Sequence, residues 1–475
     1  MSEISNLSPV PVWRFFDLIC SIPHPSGHEA ALAERLKLCA EEYGLVWSMD
    51  DAGNLRIDRP AAPGNEALPR IIFQAHLDMV PVAEDENFDF ITTPVTPFVD
   101  GNVVRARGTT LGGDDGAGIA LAMALLTDKE LQCGPLSGLF TVGEEVGLLG
   151  AAALDEKLLE GKYLINLDCG PVGHATIGCA GGARQEFKFL PEYEPCTAGT
   201  PLQITLTGLP GGHSGECIDK NRGNAIKSLA TFLLEQSQIK LVNFNSGSAD
   251  NAIPHEAQAQ VWFSGDVKSL QNSAMLFELL LKKELKQESV KLEIKKISDA
   301  EPQTLTADCQ QKLLSALSLV PNGVFEFDTD LNIVRTSSNL AAVFTENDHI
   351  CIRSSQRSLD DAEREKASAM LAEHFALFGC SAEVSCPYPG WTPAPRCRLV
   401  QSCCKVWEAM QGEPLQLSAI HAGLECGILG RKNPALELIS IGPGAPGCHT
   451  PQEYLQIENV ALCYDFLKAL CGELT

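Results

Sequence analysis

Basic residues are scarce in this chain of 475 residues: 36 Lys and Arg stand against 61 Asp and Glu, a formal net charge of −25. Nucleic acid and anionic membrane both call for a basic surface, so neither is expected as a partner. Long apolar runs are missing too. None approaches the roughly 20 residues that cross a bilayer, and the longest, around Ile119 to Leu126, reads as a buried helix. The opening MSEISNLSPVPVWRFF has no basic stretch followed by an apolar one. No export signal is expected from it, and the cytoplasm is the expected location. The 18 cysteines include no C-x-x-C pair and no cluster spaced like a structural zinc site. They read as reduced, small apolar residues.

What the chain has is length and alternation. Its 475 residues exceed one ordinary core, which predicts two domains. Val12 to Cys20 is amphipathic, Pro23 to Gly27 breaks it, and Glu29 to Tyr43 resumes helical spacing with Ser26 as a cap. Asn54 to Asp58, Arg70 to Ala75, Ser137 to Val142 and Tyr163 to Leu167 read as strands, with a small-residue helix over Gly116 to Thr127. Strands alternating with helices predict an α/β sheet with a substantial parallel component.

The pattern changes after about residue 185. Leu202 to Leu206, Ala257 to Phe263, Asn332 to Val334, Asp348 to Arg353 and Ala382 to Cys386 read as strands, with helices near Asn224 to Glu235 and over Asp360 to Phe378. Pro387 to Pro393 reads as a linker; helix Arg398 to Gln411, strand Leu436 to Ile441 and helix Ile457 to Cys471 follow. The expected fold is therefore α/β: a discontinuous catalytic domain over 1–185 and 391–475, built on a mixed, largely parallel sheet with helices on both faces. An α+β domain over 186–390 is inserted in it, with two similar layers that suggest internal duplication.

Five segments put ligand-type residues mostly at the ends of expected strands: His76-Leu77-Asp78, Asp114-Asp115 between glycines, Glu144-Glu145, Asp168, and His449 in GCHT. In open α/β sheets, loops after separate strands converge on one crevice. Each segment alone has a bland reading. His76 could be structural, Asp114-Asp115 a turn, Glu144-Glu145 a solvated helix start and Asp168 a cap. Together they fit a two-metal site, which needs four or five carboxylate and imidazole ligands and a bridging carboxylate. Donors without thiolate suit zinc, with manganese or cobalt as alternatives. Adjacent Glu144 and Glu145 offer one ligand and one base, and Asp78 can orient the His76 imidazole.

At these residues the chain resembles the aminoacyl-histidine dipeptidase (cytosol nonspecific dipeptidase) branch of the co-catalytic zinc peptidases. The matching stretches are QAHLDMVP, TTLGGDDGAGIA, GEEVGLLGA, INLDCG, GLPGGHSGECI, SADNAIPHEA, HAGLECGIL and GPGAPGCHTPQEYLQI, which run through nearly the whole chain. The resemblance implies two divalent metal ions, Zn2+ first, with His76 and Asp168 on one, Glu145 and His449 on the other, and Asp114 bridging. It implies Glu144 as general base and His213 as an oxyanion donor from the inserted domain. Asn251 and Arg353 become candidates for the substrate's backbone or carboxylate, Glu425 for its free α-amino group, and Gly423 for close backbone approach. Small dipeptides are the implied substrates, and a homodimer through the inserted domain the implied assembly. A tripeptidase, an N-acyl amino-acid hydrolase and a non-catalytic family member stay as alternatives. Cys169 and Cys448 flank ligand positions and could compete for a soft metal, so metal identity stays open.

Overall fold

The runs Ile71–His76 and Leu136–Thr141 are buried at every residue, as strands covered on both faces must be. They set the centre of a sheet in the order Val46–Met49, Leu55–Arg59, Leu136–Thr141, Ile71–His76, Tyr163–Asn166, Glu437–Ser440, His174–Cys179, Gln416–Ile420. The pairs around Ile71–His76 and between Tyr163–Asn166 and Glu437–Ser440 are parallel. Pairs toward the edges are antiparallel. The sheet is thus mixed with a parallel middle, in an α/β fold as expected.

The computed structural model describes residues 2–474 except 197, 248, 299, 300 and 347, and not the side chains of 385 and 386. The chain divides into two compact units. The first comprises Met1–Cys179, Trp391–Ala419 and Leu424–Thr475, and the second Ala180–Gly390 and Ile420–Gly423. The break after Cys179 falls earlier than residue 185 because Gly181–Phe189 is a strand of the second unit's sheet. The short return at Ile420–Gly423 was not foreseen; there the Ala180 N–H donates to the Ile420 carbonyl at 3.0 Å.

The second unit's sheet runs Lys291–Lys296, Thr200–Thr207, Ala257–Phe263, Ile239–Ser246, Ile333–Glu346, His349–Ser358, Gly181–Phe189, Ser381–Tyr388. Its halves meet where Ser246 pairs Val343. Each half repeats one order: a helix before the inner strand, an antiparallel neighbour, a long helix, then the edge strand. Leu202, Ile204, Leu229, Phe232, Leu313, Phe187 and Phe375 share one buried core. Phe187 and Phe375 stack with ring centroids 4.1 Å apart.

Several elements depart from expectation. Ser26 does not cap the helix Ala30–Glu42, whose cap position is Glu29; the Ser26 hydroxyl donates to Asp78 instead. The segment expected as a linker begins as strand, since Ser381–Tyr388 pairs with Gly181–Phe189. The helix Val267–Leu285 was not anticipated. Its leucines occupy two faces: Leu270, Leu281 and Leu285 are buried, whereas Leu276, Leu279 and Leu280 are exposed, which blurs the helical period.

Replacing Phe187 by Ala is expected to cost about 3–5 kcal/mol of stability. Chemical denaturation should show it, with metal content unchanged because Phe187 lies in the other unit from the acidic cluster.

Candidate metal centre

The side chains that could hold a cation lie in the first unit, beyond the carboxyl ends of its parallel strands, where open α/β sheets place their sites. His76 closes Ile71–His76. Glu144 and Glu145 follow Leu136–Thr141, and Asp168 follows Tyr163–Asn166. Asp114 opens the helix Gly113–Thr127.

Asp114 presents its two oxygens to two different histidines. Oδ1 lies 3.1 Å from His76 Nε2 and Oδ2 lies 3.5 Å from His449 Nε2. Asp168 stands on the His76 side, 3.8 Å from the same Nε2. Glu145 stands on the His449 side, its Oε1 2.9 Å from Nε2. Ligand-type atoms of His76, Asp114 and Asp168 converge within 4.8 Å, as do those of His76, Glu144 and Glu145. Asp115 turns away. Its carboxylate accepts from the backbone N–H of Gly118 at 3.1 Å and of His76 at 3.3 Å. A side chain at Gly118 would meet Asp115 Oδ1 at 2.2 Å, so glycine is required there.

The electrostatics follow from crowding acids in a buried place. Burial pushes Glu144 up to about 8, with Glu425, Glu145 and Asp114 adding to it. Burial, then Asp114, also pushes Asp168 well up. For His76 burial acts downward, but hydrogen bonds to Asp114, Asp168 and Asp78 outweigh it and hold the imidazole well above its usual range. The hydrogen bond to Asp114 and the charge of Glu145 lift His449 to about 9. Protons here neutralise acids that cations would neutralise more fully, and bound metal would displace them. With oxygen and imidazole donors on both sides of one carboxylate, these residues fit two divalent cations.

A supporting layer fixes this cluster. The Nδ1–H of His76 donates to the backbone carbonyl of Asp78 at 2.9 Å, so Asp78 orients the ring through its main chain. Its carboxylate, 3.5 Å from the same nitrogen, serves mainly elsewhere. It accepts from Ser26 Oγ at 2.8 Å and from the backbone N–H groups of Glu144 and Glu145 at 2.9 and 3.2 Å.

Glu453 was not singled out from the sequence. It is 2% exposed and its carboxylate gathers four backbone N–H groups: Leu111 at 2.7 Å, Gly112 at 3.1 Å, Gly113 at 2.8 Å and Asp114 at 3.1 Å. It thereby satisfies donors at a helix start and holds the backbone of Asp114. Its position four residues after His449, in GCHTPQEYL, was the available signal.

Glu425, expected against a substrate amine, is 1% exposed. Its Oε2 accepts from Gln74 Nε2 at 2.6 Å and Thr141 Oγ1 at 2.9 Å, and its Oε1 is buried without a hydrogen-bond partner. Gln74 lies on the His76 strand and Thr141 ends the strand before Glu144, so Glu425 braces those strands.

The remaining candidates belong to the second unit. Gly212–His213 pairs with Ala252–Ile253, and the Asn251 carbonyl accepts from Ser214 N–H at 2.7 Å, so Asn251 and His213 are neighbours. His213 Nδ1 is buried without a partner, and burial with the charge of Arg357 lowers its pKa. Arg353 is committed elsewhere: Nε donates to Glu186 at 3.1 Å and the guanidinium lies over Phe344. Arg357, two residues along the strand, is the cation that acts on His213. It is 8% exposed and donates to the Tyr388 hydroxyl at 2.9 Å. The same charge, after burial, pushes His421 down to about 3. At Gly423 a Cβ would stand 2.9 Å from the Tyr388 ring, so its missing side chain makes room for tyrosine.

Fold and site define a peptidase: the chain belongs to the peptidase family M20/M25/M40, which matches residues 72–473. It is 37% identical over 485 residues to the cytosol non-specific dipeptidase of Escherichia coli strain K12, covering 100% of this chain and 99% of that one. The crystal structure of aminoacylhistidine dipeptidase from Vibrio alginolyticus is 38% identical and superposes with a TM-score of 0.93, covering 99% of this chain and 98% of that one. The aminopeptidase PepT of Bacillus cereus, 19% identical with a TM-score of 0.59 over 98% of this chain and 99% of that one, shares the fold.

Glu453→Gln keeps one acceptor oxygen where two served four N–H groups. It should weaken metal retention by about 10–100-fold, read as metal stoichiometry after dialysis, with far-UV circular dichroism unchanged.

Proposed function

We propose that this chain is a two-metal dipeptidase of the cytoplasm that hydrolyses dipeptides with a free amino terminus, Xaa-His dipeptides among them, with zinc as its metal. The observation that carries the reading is the split of Asp114 between His76 and His449. The names of the relatives at 37% and 38% identity support the substrate class. Among the described residues no helix is long and apolar enough to cross a membrane, in keeping with the location.

His76 and Asp168 would hold one cation, Glu145 and His449 the other, and Asp114 both. Bound there, divalent cations polarise a peptide carbonyl and make an attacking water acidic near neutral pH. Glu144 takes the proton from that water and returns it to the nitrogen of the leaving amine. His213, neutral because burial and Arg357 lower its pKa, donates an N–H to the carbonyl oxygen as charge builds there, a contribution of about 3 kcal/mol. Arg357 takes the role first assigned to Arg353, pairing with the substrate carboxylate, with Asn251 contacting the substrate backbone beside His213.

A homodimer through the second unit is supported by Met275, Leu276, Leu279 and Leu280, which stand 57–62% exposed on one side of Val267–Leu285. The repeated order of that unit's sheet supports an origin by internal duplication.

Glu144→Gln should keep two metals and lose about 10²–10⁴-fold in kcat; unchanged turnover of a dipeptide would remove Glu144 as the base. Hydrolysis of the dipeptide but not its N-acetyl form separates this reading from an N-acyl amino-acid hydrolase. Arg357→Leu should raise KM for a dipeptide about 10–100-fold and leave KM for the dipeptide amide nearly unchanged. Leu276→Glu with Leu280→Glu should shift the sedimentation coefficient from dimer to monomer.

A further inference from the structure

Cys448 immediately precedes His449 in a tightly wound turn, where Gly447 has φ +77° and His449 itself φ +63°. The turn gathers a third donor group. Cys448 Sγ, a carboxylate oxygen of Asp114 and an imidazole nitrogen of His449 lie within 4.8 Å of one another. This group shares two members with the side of the cluster that includes Glu145, and offers sulfur where that side offers carboxylate. A cavity of about 490 Å³ opens onto two of the three, lined by Asp114, Asp168, Cys169 and Cys448 among others. The other thiol on that cavity is differently placed: Cys169 Sγ lies 3.2 Å from Thr176 Oγ1 and joins no such group among the described residues.

Resting on the two-metal reading, we propose that Cys448 is an additional donor to the cation held by Asp114 and His449, tuning that position toward zinc and cadmium and away from manganese. Thiolate is a soft donor, whereas Glu145 is a hard one. A zinc–sulfur bond needs about 2.3 Å and a zinc–imidazole bond about 2.0–2.1 Å, so two such donors on one ion stand at most about 4.4 Å apart; the group, gathered within 4.8 Å, is near that span and would draw together on binding. The thiol proton leaves to solvent as the sulfur–metal bond forms, with no change of oxidation state.

The test is spectroscopic. Full-length protein loaded with two equivalents of Co2+ should show thiolate-to-cobalt charge-transfer absorption in the near ultraviolet. Cys448→Ser should abolish the band while still binding two cobalt ions, and Cys169→Ser should leave it intact. Equilibrium competition between Zn2+ and Mn2+, read by elemental analysis of the bound metal, should show zinc preference falling about tenfold or more in Cys448→Ser, the scale on which removing even an outer partner of a metal site acts. Two bound cobalt ions without the band in the unaltered protein, a band that survives Cys448→Ser, or an unchanged zinc preference would each overturn the role of Cys448 and leave the two-metal reading standing. A protein that takes up fewer than two cations in every form would bring down that reading as well.

Discussion

Everything in the first unit is arranged around holding one carboxylate still between two imidazoles. Asp114 can face His76 and His449 at once only because its main chain is gripped from behind. Glu453 does that gripping, drawing four consecutive N–H groups onto one buried carboxylate. Without such an anchor, a helix start rich in glycine would be the most mobile part of the cluster, since glycine loses the most freedom on ordering. The side chains that meet there come from loops far apart in sequence, so the tolerance on each is set by the stiffness of the strand behind it. Gln74 and Thr141, joined through Glu425, stiffen the two strands that deliver His76 and Glu144.

The acid excess explains the odd proton affinities. Asp78, Asp114, Asp115, Glu144, Glu145 and Asp168 crowd against two histidines, and a folded chain can tolerate this only by protonating some of them or by binding cations. The direction of each shift shows how the protons are shared. Asp114, between both imidazoles, is held well below the usual carboxylate range despite its burial, while Asp168 and Glu144 go up. Asp78 goes down as well, for a different reason. Burial works against its charge, yet bonds from His76, Ser26 and the Glu144 amide hold it at about 2. A carboxylate so satisfied is unavailable to a cation, and its proximity to His76 therefore does not make it a ligand.

Much of this was legible in the chain because ligand-type residues follow apolar strands, a pattern that survives errors of one or two residues in strand ends. The fully buried strands read as short, mostly apolar runs, and the segments after them fell at the carboxyl ends of the parallel strands. Less legible were residues whose work is done through the backbone. Ser26 resembled a helix cap, and nothing in its neighbours points to Asp78, 52 residues away. Glu425 came forward only through the resemblance carried by HAGLECGIL; that it also braces two strands depends on Gln74 and Thr141, which are distant in sequence. Arg353 and Arg357 share one strand face and differ only in their partners, Glu186 and Phe344 for one, Tyr388 for the other. Only the sheet register, which sets Arg353 opposite Glu186 and Arg357 opposite Gly182, separates them.

That register carries a further consequence. A strand partner with a carboxylate neutralises an arginine, whereas a partner without a side chain leaves room above the sheet. Gly182 opposite Arg357 gives that room, and Tyr388 fills it: a Cβ at Gly182 would stand 2.5 Å from the Tyr388 hydroxyl. Tyrosine accepts from the guanidinium without cancelling its charge. The cation thus remains able to attract an anion and to keep His213 and His421 neutral, and a neutral imidazole is the form that can donate one N–H and keep the other nitrogen free. Glycine at 182 and 423, tyrosine at 388 and arginine at 357 therefore act as one device, and replacing the tyrosine by an acid would convert it into an ordinary ion pair.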